Sequence, residues 1–367
     1  MTALGATAED GAMNQAQHAL TNTGVQSRSV LAQANVREVN QRKRSVPLRI
    51  GRALMGLLGV VVALGLSGAA YEWVAEAADA RAYPPAGQMV DVGGYRLHIN
   101  CIGTGSPTVV IDAGWGDSSA AWSSWVQPAA ASTGRVCTYD RAGMGYSEAG
   151  PLPRTAERYA EELHALLTNA GESGPYVLVG HSMGGFTVRV FAHEYPADVA
   201  GVVLIESMGP SRAKASSTDG TAEPDPHTFA DWALTLPART GVVRLLAGPL
   251  DAYHGLSPEQ ANAFSSFPMT PRSLQTWLDE GKGMARSLVQ AGAVKSFGAT
   301  PLIVLSRSLT VDPDQEWQGM QTELLGLSSN SQQLFATQSG HNIEFEQPQA
   351  AVDAIEKMVE LTRYGNS

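Results

Sequence analysis

Residues Gly180-His-Ser182-Met-Gly184 form a G-x-S-x-G pattern, the short motif in this chain that most directly implies covalent chemistry. Glycines on both sides permit a turn too sharp for side chains, and such a turn projects the serine hydroxyl away from the backbone. A serine hydroxyl is a poor nucleophile near neutral pH. It needs a neutral imidazole to take its proton and a carboxylate to orient that imidazole. The sequence holds eight histidines and 35 acidic residues from which such partners can come. No His-x-x-x-His pair and no phosphate-cradling glycine loop occurs, so the residues call for neither a metal nor a cofactor. With 38 glycines the bare pattern arises readily by accident. Its weight depends on the elements around it.

Those elements fit. Tyr176-Val-Leu-Val179 reads as a buried strand running directly into the motif, and a helix is predicted from about Met183 to Tyr195. Ser182 then stands between strand and helix, where the helix N-terminal amides stabilise developing negative charge. The alternation extends along the chain, with strands predicted over 95–101, 108–112, 135–139, 199–205, 301–305 and 333–337. Helices are predicted over 155–171, near 314–327 and from about 347 to 362; Thr155 caps the first of these and Gly171 stops it. Repeated strand-then-helix order implies an α/β fold, a mostly parallel sheet covered by helices on both faces. The stretch of about 208–297 breaks the alternation and reads as an insert above the carboxyl ends of the strands, where such sheets bind ligands.

On these motifs the chain from about 89 to 365 resembles the α/β-hydrolase superfamily, in particular its small esterase-like members with a helical cap. Beyond Gly180–Gly185, the resemblance rests on Asp112-Ala-Gly-Trp-Gly116, on Tyr139-Asp-Arg-Ala-Gly-Met-Gly-Tyr-Ser147 and on Gly340-His341, in the family's order. It implies a catalytic domain that cleaves a carboxylic ester of a small molecule through an acyl-enzyme on Ser182, with His341 as base and no cofactor. It also implies an oxyanion hole made by the backbone N–H groups of Met183 and Trp115. The family's usual His-Gly is Ala113-Gly114 here. Thioester, lactone, peptide or C–C hydrolysis on the same fold is the alternative chemistry, and a non-catalytic tethered binding protein is the alternative class. Dehalogenase and epoxide-hydrolase branches use an aspartate nucleophile, which a serine at 182 does not match.

The acid has two sensible places in the order Ser, acid, His. Asp312 or Asp314 follows the strand 301–305, where most relatives keep an aspartate. Glu206 closes the apolar strand Val202–Ile205, and some branches of the family carry the acid there. A carboxylate ending such a strand is costly without a partner, so Glu206 is preferred. In the insert, Phe229, Trp232, Tyr253, Phe264, Phe267, Met269, Trp277 and Met284 suggest a cap over an apolar group, although packing of a helical lid explains them equally well. The resemblance makes the second and fourth strands neighbours, which brings Cys101 and Cys137 within reach of a disulfide; two reduced core thiols are the equal alternative.

Charge is spread unevenly. Residues 1–52 hold 7 basic against 3 acidic residues, whereas 53–367 hold 18 against 32, for a net charge of −10. That balance excludes nucleic-acid binding through a basic face. At the seam, 19 residues from Ala53 to Tyr71 carry no charge, a helical length of about 28 Å against the ~30 Å of a bilayer core. Arg42, Lys43, Arg44, Arg49 and Arg52 precede it; Glu72, Glu76 and Asp79 follow it. The positive-inside rule then puts the N-terminus in the cytoplasm and the catalytic domain outside it. The segment reads as a signal-anchor in preference to a buried core helix or a cleaved signal peptide, whose apolar core is shorter. The expected organisation is a disordered cytoplasmic tail over 1–46, a transmembrane helix over 47–74, a linker over 75–88 and the hydrolase domain over 89–365.

Overall fold

A computed structural model describes residues 10–209, 227–246, 270–308 and 314–364. The chain divides into two units, Met1–Ser67 and Gly68–Ser367. One long helix, α1 (Asp10–Ala82), accounts for the described residues of the first unit and enters the second. Its part from Arg49 to Ala82 is long and apolar enough to cross a membrane. The helix α1 covers most of the range expected as a tail (1–46), all of that expected as a transmembrane helix (47–74) and part of that expected as a linker (75–88), ending at Ala82.

In the second unit the strands are β1 (Gln88–Asp91), β2 (Arg96–Ile102), β3 (Thr108–Asp112), β4 (Arg135–Tyr139), β5 (Tyr176–His181), β6 (Val199–Ile205), β7 (Leu302–Arg307) and β8 (Ser331–Ala336). They form one eight-stranded sheet in the order β1-β2-β4-β3-β5-β6-β7-β8. Only β2 runs against the other strands, antiparallel to both of its neighbours β1 and β4. The predicted strands recur within a residue or two; β1, an edge strand of four residues, has too little pattern to be read from sequence. Short helices α2 (Ala120–Ser123) and α3 (Val126–Ala130) precede β4, while α4 (Ala156–Ala170) and α5 (Gly184–Glu194) flank β5. Thr155 occupies the N-cap of α4 without a side-chain bond, and Gly171 ends that helix in the left-handed conformation at φ +75°.

Side chains alternate across the sheet into two cores. Val177, Val179, Val203 and Ile205 face one side; Leu178, Val202 and Leu204 face the other. Burial on both faces is why these strands read as unbroken apolar runs. Cys101 lies directly opposite Cys137 across β2 and β4, and the two form a disulfide.

Between β6 and β7 the chain forms α6 (Phe229–Arg239), α7 (Val242–Leu246) and α8 (Pro271–Ala293). Tyr253, Phe264, Phe267 and Met269 lie outside the described residues, as does Asp312. The chain closes with α9 (Gln315–Leu324), α10 (Ile343–Glu346) and α11 (Pro348–Tyr364).

Candidate active site

The register of two adjacent strands sets the site. In the parallel pair β5 and β6, His181 stands opposite Ile205, so Ser182 and Glu206 each come one residue beyond the same sheet edge. Both turn sharply there. Ser182 at φ +50° and Glu206 at φ +48° are the non-glycine residues in the left-handed region among the described residues. Such a conformation costs about 1–2 kcal/mol for a residue with a Cβ, and here it falls on the predicted nucleophile and the preferred acid. The Ser182 amide donates to Ile205 O at 3.0 Å and the Glu206 amide to Leu305 O at 2.9 Å, extending the sheet ladder through both turns.

Glycines make the first turn possible. A Cβ on Gly180 would lie 2.7 Å from Gly184 O, and one on Gly184 would collide with Asp112 O. A Cβ on Gly185 would collide with Ser207 Oγ, which donates at 3.0 Å to the carbonyl of Ser182. The motif's spacing thus answers to backbone contacts on both sides of the serine.

His341 arrives from the loop after β8 and stands between the two turns. Its Nε2 lies 3.0 Å from Ser182 Oγ and its Nδ1 lies 3.3 Å from Glu206 Oε2. Glu206 is fully buried. Its Oε1 accepts the Arg307 backbone N–H at 2.7 Å and its Oε2 accepts Arg307 Nη1 at 3.1 Å. The carboxylate closing an apolar strand therefore has partners on both oxygens. Asp314 sits elsewhere: it caps α9 by accepting the Trp317 amide at 3.0 Å, and it lies 3.7 Å from Arg307 Nη2.

His181 neighbours Ser182 in sequence but points away from it, its Nε2 donating to the His341 carbonyl at 3.1 Å. Burial, reinforced by the nearby His341, pushes its imidazole down to about 3. It is therefore neutral at physiological pH and serves to hold the loop that carries His341. Glu344 lies 3.6 Å from the same ring nitrogen. Burial, with Asp117 adding to it, holds Glu344 well above the usual carboxylate range.

The second predicted oxyanion donor, Trp115, lies in a loop fixed by residues whose role the sequence did not reveal. Gly114 packs beside Ser182, its Cβ position 3.6 Å from Ser182 Cβ. The loop's carbonyls at Ala113 and Gly114 accept from the buried Arg141 guanidinium at 2.7 and 2.6 Å, and Arg141 also donates to Asp112 at 2.6 Å. Glu280 of α8 completes the clamp, accepting Arg141 Nε at 2.7 Å and the Gly116 amide at 2.8 Å. The Trp115 ring stacks on Trp277 of α8 at 4.9 Å, and its Nε1–H donates to Trp277 O. Met183, the other predicted donor, directly precedes α5. The signal for Arg141 was present in the Asp140-Arg-Ala-Gly stretch, but its partner Glu280 is 139 residues away and no local pattern joins them.

A strand-to-helix turn bearing a serine on a mostly parallel eight-stranded sheet defines the class, and comparison agrees. The sequence profile of the alpha/beta hydrolase fold matches residues 107–343. The chain belongs to the α/β-hydrolase family. It is 28% identical over 249 residues to the uncharacterized protein YqjL of Bacillus subtilis, covering 67% of this chain and 81% of that one. It is 35% identical over 127 residues to the probable transporter efuK of Hormonema carpetanum, matching 32% of this chain but only 18% of that much longer protein. Among solved structures, the epoxide hydrolase CorEH superposes with a TM-score of 0.54 at 22% identity, covering 74% of this chain and 97% of that one. At that identity the likeness is one of fold.

Proposed function

We propose that the protein is a serine hydrolase that cleaves a carboxylic ester. In this reading Ser182 attacks the ester carbonyl while His341 Nε2 takes its proton, and Glu206 orients and stabilises the imidazolium. The tetrahedral oxyanion is met by the N–H groups of Met183 and Trp115. His341 then returns the proton to the departing alcohol, and water, deprotonated by the same imidazole, releases the acid. The observation that carries the reading is the placement of His341 between Ser182 Oγ at 3.0 Å and Glu206 Oε2 at 3.3 Å. A serine at this turn also favours ester over epoxide chemistry, which needs an aspartate there to form an alkyl-enzyme ester.

We also propose that residues 53–71 anchor the protein in a membrane, with the N-terminus cytoplasmic and the hydrolase unit on the other side. The basic flank at Arg42–Arg52 and the apolar helix support this orientation. So does the Cys101–Cys137 disulfide, since such bonds persist in oxidising compartments. A fluorophosphonate probe tests the chemistry: wild-type protein should be labelled and Ser182→Ala should not. Equal labelling of both, or none of either, would reject the serine-hydrolase reading.

A further inference from the structure

The part of α1 that belongs to the hydrolase unit is fastened to the insert between β6 and β7. Arg244 of α7 donates from Nε and Nη2 to both oxygens of Glu72, at 3.0 and 2.9 Å, and from Nη1 to Asp79 at 2.6 Å. Glu72 is buried by this contact. One turn earlier the backbones themselves meet. A Cβ on Gly68 would collide with Thr240 O, and one on Gly241 would lie 2.7 Å from the Tyr71 ring. Gly68 and Tyr71 belong to the uncharged stretch 53–71. The turn between α6 and α7 is therefore packed on the last turn of the apolar segment, not on a stalk beyond it.

The outer surfaces of α6 and α7 are apolar. Phe229 is 79% exposed, Leu246 is 82% exposed, and Trp232, Leu234 and Leu245 are open beside them. On the α1 side of the contact Trp73 is 72% exposed. Two short helices presenting this much apolar and aromatic surface are unlike an ordinary solvated face, and tryptophan is enriched where protein meets lipid head groups.

We propose that the outer face of α6 and α7 seats in the head-group layer of the bilayer that holds residues 53–71, so that the ester substrate is drawn from the lipid phase. The inference rests on the anchored reading above and adds a second contact to it. A chain packed against the final turn of a span lies within the ~5–7 Å head-group layer. Its exposed Phe, Trp and Leu side chains are there removed from water. The paired charges of Arg244, Glu72 and Asp79 are satisfied by one another at that depth.

The full chain, reconstituted in phosphatidylcholine vesicles, provides the test. A fluorophore is placed on Leu246→Cys and, as a control, on Lys357→Cys of α11, the native cysteines being paired. Nitroxide-labelled phosphatidylcholine should quench the first label about twofold and leave the control unchanged. A Leu245→Asp, Leu246→Asp double variant should hydrolyse a long-chain ester embedded in vesicles about tenfold more slowly, while keeping its rate on a short soluble ester. If a carbonate wash strips the chain from the vesicles, the anchor itself is refuted. If the chain stays and the label at 246 is not quenched, the anchor stands and the docking is overturned. Protection of that label by dimerisation, without quenching, would assign the face to a second copy and also overturn it.

Discussion

Glu206→Gln is the sharpest perturbation of the proposed chemistry, because the amide keeps the shape of the carboxylate and changes only charge and donor pattern. Glu206 Oε1 receives a backbone N–H from Arg307 at 2.7 Å, and that donor cannot be moved. The glutamine oxygen must therefore take this place, which leaves its NH2 facing His341 Nδ1 and Arg307 Nη1. Nδ1 then becomes an acceptor and the ring proton shifts to Nε2, so the imidazole can no longer receive a proton from Ser182. The charge effect adds to this. An ion pair near 4 Å at an effective dielectric of about 20 is worth ~4 kcal/mol, or roughly a thousandfold. Together these give an expected fall of about 10³–10⁴ in kcat/KM. The assay is hydrolysis of a soluble p-nitrophenyl ester by purified full chain, with thermal unfolding followed in parallel. Asp314→Asn should retain the α9 cap and most of the activity, since Asp314 touches Arg307 but not His341. A folded Glu206→Gln variant within tenfold of wild type would refute the assignment, and a loss of orders of magnitude in Asp312→Asn would relocate the acid.

Arg141→Ala leaves Asp112 and Glu280 buried without their common partner, and chemical denaturation should show a loss of about 3–5 kcal/mol; less than 1 kcal/mol would contradict the clamp. Glu280→Gln removes a charge but retains a side chain of the same shape, so kcat should fall by about tenfold with little change in KM if the Trp115 loop serves the transition state. His181 supplies a pH prediction. Unfolded, it binds a proton below about 6.5; folded, it does so only near 3. Stability should therefore decline by about 1.4 kcal/mol per pH unit as pH falls below 6.5. Denaturation of His181→Gln over the same range should lack that part of the slope, and parallel curves for the two proteins would refute a buried neutral imidazole.

The strand and helix order was legible because each central strand is buried on both faces, whereas α4 and α11 are buried on one, so hydropathy separates them; α5, buried throughout Gly184–Ala192, is legible from its length and its place after the motif. The candidate nucleophile was legible because its motif sits where the strand pattern ends. Glu206 stood out by a thermodynamic anomaly, a carboxylate at the end of Val-Val-Leu-Ile, and the structure supplies the partners that the anomaly demanded. What stayed hidden was tertiary. Arg141, Glu280 and Trp277 meet only when α8 is laid across the loop after β3, and nothing in the local sequence of either segment announces the other.

The clamp from Arg141 and Glu280 ties α8 to the loop after β3. Because α8 holds the loop proposed to stabilise the oxyanion, lifting α8 would break the contacts that fix that loop, so under the proposed reading this helix cannot serve as a swinging door. For anyone wishing to alter substrate range under the proposed reading, residues 270–293 are then the part to leave intact.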